Sequence, residues 1–139
     1  MRFFLDSNVL VSGIAFSGTE RWLLRVSFRG EHEFVISEDV QRETLEVMQA
    51  KFPRLREQAE EALSILPVEV VPAKVYAERV RAYPGLRDPK DAHILAAAVV
   101  SRCDAIVTGD RDLLALGEVE GIQIVRPSQA RRLMGESRS

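Results

Sequence analysis

Short apolar runs alternate along the chain with longer stretches in which apolar residues recur every three or four positions. Arg2-Phe3-Phe4-Leu5 is such a run, ended by Asp6-Ser7-Asn8, and predicts a buried strand leading straight into a turn or helix start. Asp6 then stands at a strand's carboxyl end. Thr19 is placed to cap a helix from Glu20 to about Arg29, with Trp22, Leu23 and Val26 on its apolar face and Gly30 as its stop. Phe34-Val35-Ile36 reads as a second strand. Ser37 is a good N-cap for a helix through Met48 toward Lys51, and Pro53 opens a further helix to about Leu66.

The second half repeats the alternation. Val68-Glu69-Val70-Val71 predicts a third strand and residues 73–82 a helix stopped by Pro84-Gly85. Asp88-Pro89 has the chemistry of an N-cap followed by a first-position proline, opening a strong helix to Arg102. Ala105-Ile106-Val107 is the fourth strand, followed by a short helix from Asp112 to Leu116. Ile122-Gln123-Ile124-Val125 is the fifth strand, and Pro127 begins a terminal helix through Met134. Strands alternating with helices imply right-handed crossovers and an α/β fold whose mostly parallel sheet is covered by helices.

At 139 residues and 46% hydrophobic content the chain matches one ordinary domain, 1–139, with residues 1–134 folded and 135–139 a flexible tail. The formal charge of −2 argues against a broadly basic nucleic-acid coat, though 19 Lys and Arg leave room for a local basic patch. Cys103 is the only cysteine, which excludes an internal disulfide or a thiolate zinc site. It reads as a partly buried, inert thiol. The apolar N-terminal run is too short for a signal-peptide core or a membrane span, so the expected location is cytoplasmic.

In an open α/β sheet, sites form beyond the carboxyl ends of the strands. The residues to inspect there are Asp6 at the first strand exit, Glu43 on the helix after the second strand, and Asp110 at the exit of the fourth. Asp91 begins the helix feeding the fourth strand. Each has an ordinary reading as well. Asp6 could be a turn acid, Asp91 a first-turn helix acid, and Asp110 a cap for the short helix, with Asp112 more ambiguous still. Glu43 is the most unusual, since Val40 and Val47 place it on an apolar helical stripe, where a carboxylate needs a partner such as water, an arginine or a cation. If the acids meet in one crevice, their repulsion calls for compensation, and oxygen-only ligands suit magnesium or manganese. His93 lies about 200° around the helix from Asp91 and is left out of this set.

Four segments carry a family resemblance: the strand-Asp6-Ser7-Asn8 opening, Ser37 to Leu45, Asp88 to Ala98, and Val107 to Leu114. They resemble the four acidic motifs of PIN domains, and the match extends over almost the whole chain. The likeness is strongest to compact prokaryotic PIN proteins of the VapC-like group, toxins of type II toxin–antitoxin pairs. That resemblance implies a three-layer PIN-like fold with about five strands and a nuclease site built on Asp6, Glu43, Asp91 and Asp110. Asp112 matches an accessory acid, and Ser7, Asn8 and Thr108 match small polar residues lining such sites. It further implies Mg2+ or Mn2+ as cofactor, RNA as substrate, a homodimer, and an antitoxin partner covering the site. Arg42, Lys90 and Arg111 neighbour the acids in sequence and are candidates for substrate contact.

Rival readings lack their signatures. A haloacid-dehalogenase-type enzyme places a second Asp two residues after the first, where this chain has Asn8, and no P-loop run is present. A PIN-like module that binds RNA or protein without cutting, or a housekeeping nuclease outside any toxin pair, is the alternative.

Overall fold

The computed structural model describes residues 1–135. The expected flexible tail falls largely outside them; Gly135, the part of it that is described, donates its N–H to the Arg132 carbonyl at 2.9 Å. The elements run β1 (Arg2–Leu5), α1 (Ser7–Ala15), α2 (Thr19–Val26), β2 (Glu33–Ser37), α3 (Glu38–Lys51), α4 (Arg56–Ile65), β3 (Val68–Val71), α5 (Ala73–Tyr76), α6 (Pro89–Val100), β4 (Ala105–Val107), α7 (Arg111–Leu116), β5 (Glu118–Val119), β6 (Ile122–Val125) and α8 (Pro127–Leu133). The sheet order is β3-β2-β1-β4-β6-β5, parallel except for β5 against β6. This is the expected helix-flanked α/β architecture. The chain passes from β1 toward β2 and β3 on one side and returns to β4 on the other, so the order reverses between β1 and β4. At such a switch point the two strand exits diverge and leave a crevice.

The central strands bury all their apolar side chains because helices cover both faces of the sheet. Phe3, Phe4, Leu5, Val35, Ala105, Ile106 and Val107 are fully inaccessible, and they join α1, α2 and α6 in one core. Among the described residues, no helix is long and apolar enough to cross a membrane.

Several boundaries differ from those expected. The sheet has a sixth strand, β5, which pairs only Glu118 with Gln123 and Val119 with Ile122. Its two-residue turn has Glu120 at φ 51° and Gly121 at φ 83°, the backbone signs of a tight hairpin turn. The carboxylate of Glu120 accepts from both Arg79 and Tyr83, anchoring this non-glycine residue in the left-handed region. Thr19 is not the cap of α2 but its first residue; Gly18, at φ 140°, holds the cap position without a side-chain bond. The helices expected over 53–66 and 73–82 each contain a 3-10 segment, at Pro53–Leu55 and Glu78–Ala82. Helix α6 stops at Val100, and Arg102 enters the left-handed region at φ 58°. Leu23 and Val26 join the core as expected, whereas Trp22 is only partly buried, with the Arg131 guanidinium 4.3 Å above its ring. Cys103 is buried, and that burial pushes its thiol pKa up.

Helix α1 turns the Asp6-Ser7-Asn8 exit into a helix start. Its Gly13 permits close contact with α2: a Cβ there would sit 2.6 Å from Leu24 Cδ1 and 3.1 Å from the Glu20 carbonyl oxygen. In an open helix Gly→Ala stabilises by about 1 kcal/mol. Here the sign should reverse, with Gly13→Ala lowering stability by about 1–2 kcal/mol through overpacking. Chemical denaturation of the two proteins measures this, and a more stable Ala variant would refute the close packing.

Candidate active site

Asp6 is the N-cap of α1 and directly follows β1, so the end of the strand and the start of the helix both fix it. The residue is only 4% exposed. Its Oδ1 accepts from the Ser7 N–H at 2.7 Å, and its Oδ2 accepts from Thr108 Oγ1 at 2.7 Å and Asn8 Nδ2 at 3.1 Å. Thr108 is the residue after β4, on the other side of the switch point. It also accepts the Asp110 N–H at 3.0 Å, while Asn8 Oδ1 accepts the Gly109 N–H at 3.0 Å. These bonds tie the two strand exits into one rigid unit.

Four further acids meet Asp6 in a single pocket: Glu43, Asp88, Asp91 and Asp110. Asp6, Ser7, Asn8, Glu43, Asp88, Lys90, Asp91 and Asp110 all line it. Glu43, on α3, accepts the Ser7 hydroxyl on Oε1 and pairs through Oε2 with Lys90 Nζ at 2.7 Å. Asp91, in the first turn of α6, is 4% exposed. Asp110 is the N-cap of α7 and accepts the Asp112 N–H at 3.2 Å, so its capping role and its place in the pocket coexist.

The electrostatics record crowding of like charge. Burial pushes the Asp6 pKa up, partly offset by bonds from Thr108 and Ser7, and the charges of Glu43 and Asp110 push it further in the same direction. Asp91 is raised to about 7, first by desolvation and then by the charge of Asp110, with Asp88 and Asp6 adding to it and a hydrogen bond to Asp110 favouring the protonated form. Among the described residues no basic side chain forms an ion pair with Asp6, Asp91 or Asp110.

The remaining sequence candidates separate. Asp112 is exposed, does not line the pocket, and lies 3.9 Å from Arg87. Lys90 reaches the site. Arg42 turns to Asp39 at 2.6 Å, and Arg111 is exposed at the start of α7. Asp88 caps α6 through the Lys90 N–H at 3.0 Å and also contributes charge to the pocket, a second role that its capping signature hides. His93 lies outside the acidic pocket, in a neighbouring recess with Asp39.

A family model for the PIN domain matches residues 2–112, the span that holds all four acids. The chain belongs to the PIN domain family. No curated protein matches it by sequence. Among solved structures, this PIN domain is similar to a toxin–antitoxin complex from Klebsiella pneumoniae, with a TM-score of 0.68, 20% identity, and 89% of this chain and 96% of that one covered. It is similar also to VapBC2 of Rickettsia felis bound to a promoter DNA fragment, with a TM-score of 0.63, 16% identity, and 91% and 98% coverage. A third is VapC20 of Mycobacterium tuberculosis, a sarcin-ricin loop cleaving toxin, with a TM-score of 0.61, 19% identity, and 85% and 97% coverage. At these identities the likeness establishes a shared fold.

The crowding in this PIN domain has a measurable consequence. Because the Asp91 pKa is raised from 3.8 to about 7, the folded chain holds this proton more tightly than the unfolded chain does. The resulting stabilisation is complete below about pH 4 and is lost as pH rises through about 7. In chelator-treated buffer, Asp91→Asn should therefore be more stable than wild type at pH 8, by about 1–3 kcal/mol, with the difference shrinking at pH 5. Urea denaturation at both pH values tests this, and an Asn variant that is less stable at pH 8 would contradict it.

Proposed function

We propose that the chain is a magnesium- or manganese-dependent endoribonuclease and the toxin of a toxin–antitoxin pair. One observation carries the reading: a PIN fold brings Asp6, Glu43, Asp91 and Asp110 from four separated segments into one pocket, and three of them have no basic partner among the described residues.

The residues fit a hard cation in charge and in donor chemistry, since every candidate ligand is oxygen. Among the described residues no three acids are drawn close enough to close around an ion as they stand, and Ser7 and Lys90 occupy both oxygens of Glu43. Asp6, Asp91 and Asp110 are the residues to hold the ion, with Glu43 completing the set directly or through water. Bound there, Mg2+ or Mn2+ supplies charge neutralisation for the phosphodiester and lowers the pKa of an attacking water.

The chain's own part is positioning. Thr108, Asn8 and the Ser7 N–H fix both oxygens of Asp6, so the carboxylate meets its ligand without reorganising. Asp91 must give up its proton to act as a ligand, which the charge of a cation would drive. Lys90 stands beside Glu43 at the mouth, where it can exchange its carboxylate partner for an RNA phosphate. Arg42 and Arg111, both exposed, are further candidates for phosphate contact, Arg42 by exchanging its Asp39 partner.

The proposal includes a cognate antitoxin, a homodimer and action in the cytoplasm. The antitoxin is supported by the fold shared with chains solved as toxin–antitoxin complexes, and the ribonuclease activity by the sarcin-ricin loop cleaving neighbour. The reading as a non-cutting module is disfavoured because all four acids are present in one pocket.

Purified protein incubated with an RNA pool should cleave with Mg2+ or Mn2+ and not with chelator. Asp6→Asn should lower the rate by about 100- to 1,000-fold. Cleavage that survives chelation or the Asp6→Asn change would overturn the mechanism. Thr108→Val removes the hydroxyl that orients Asp6 without touching substrate. It should weaken metal affinity by about 10- to 100-fold, read by calorimetry, with part of the activity restored at high metal concentration.

A further inference from the structure

Beside the acidic pocket lies a second recess, with a volume of about 210 Å³, between α3 and the start of α6. The two are continuous, because Glu43 and Lys90 line both. Val40, Pro89 and Ile94 give the recess an apolar lining, while Asp39, Arg42 and His93 are among its polar groups, with Ser37 and Glu46 beside them. Apart from Arg42 and the shared Glu43 and Lys90, the phosphodiester chemistry above uses none of these residues.

We propose that this recess is a base-binding subsite, which takes one unpaired nucleobase of the RNA next to the bond being cut and reads it through His93. The inference rests on the ribonuclease reading for the identity of its ligand.

Three features favour a nucleotide. First, the recess combines apolar walls with a hydrogen-bonding edge, and an unstacked base presents the complementary surface, apolar faces with a polar rim. Second, cations stand where the backbone would pass. Lys90 is shared with the acidic pocket and Arg42 lines this recess only, so both are available to phosphates while the base lies between α3 and α6. Third, His93 stands half-exposed in the recess beside fixed neighbours, with no protein hydrogen bond to its Nδ1. The Tyr76 ring meets it edge-on with centroids 6.4 Å apart, and Nδ1 lies 3.2 Å from Asp39 Oδ2 but is buried without a hydrogen bond. Asp39 is itself fixed by the Tyr76 hydroxyl and by Arg42. Although partial burial works against it, those two bonds hold its carboxyl below the usual range. A ring packed beside these fixed groups, with its polar edge not consumed by a protein hydrogen bond, can discriminate bases.

Two measurements test the subsite. In the first, the full chain in chelator is titrated with AMP, CMP, GMP and UMP while the His93 ring and the Val40 and Ile94 methyls are followed by NMR. These signals should shift, with at least a several-fold preference among the four bases. In the second, wild type and His93→Ala cut a randomised single-stranded RNA pool. The variant should lose the base preference at one position beside the cut and show a KM raised roughly tenfold, with kcat changed far less. The titration uses wild type, so it decides the matter even if the variant misfolds. Nucleotide-induced shifts in a protein that cuts no RNA would uphold the subsite and overturn the ribonuclease reading. Cleavage with an unchanged base profile in His93→Ala, or silent recess signals, would overturn the subsite, leave the ribonuclease reading standing and return the recess to a protein partner.

Discussion

Asp6 is a carboxylate held almost out of reach of water at the seam where β1 and β4 diverge. Such burial is unfavourable for a charge unless hydrogen bonds and a counter-charge compensate. The hydrogen bonds are present, from Ser7, Asn8 and Thr108, and they bind the first strand exit to the fourth. The counter-charge is missing among the described residues, while Glu43, Asp91 and Asp110 line the same pocket. The switch point of the sheet, the helix starts of α1 and α7 and the first turn of α6 all converge on this unresolved negative charge.

A fold that only sought stability would place a lysine or an amide there. This chain places Lys90 on Glu43 alone, and lets Asp91 keep a proton as far as neutral pH. The cost in stability is the ordinary sign of a site kept for a ligand, because groups that repel each other in the free protein are the ones a cation brings together. Thr108 shows how the cost is limited. It hydrogen-bonds Asp6 and caps the turn to Asp110 with the same oxygen, so one hydroxyl serves both acids.

How far the sequence revealed this depends on the kind of signal. Phe3-Phe4-Leu5 and Ala105-Ile106-Val107 were legible as strands because a doubly covered parallel strand is apolar throughout. Helix α1 was legible only as a possible start, since Val9-Leu10-Val11 is buried on all sides and shows no helical periodicity. Strand β5 was not legible: two residues carry no pattern, and Glu120 holds its turn through Arg79 and Tyr83, more than thirty residues away. Glu43 stood out because its helical stripe is apolar. Asp110 and Asp88 did not, because a cap and a site acid use the same residue type, and here each does both jobs. The directions of Lys90 toward Glu43 and of Arg42 toward Asp39 are set by contacts formed in the folded chain and could not be read from their neighbours in sequence. The placement of His93 outside the acidic pocket follows from helical angle alone.

The most direct test of the account is a calorimetric titration of Mn2+ into the protein at pH 6.5, repeated in buffers of different ionisation enthalpy. If the crowded carboxylates await a cation, Mn2+ binds and releases a substantial fraction of a proton, and that release disappears in Asp91→Asn. No binding, or binding with the same proton release in the variant, would contradict it.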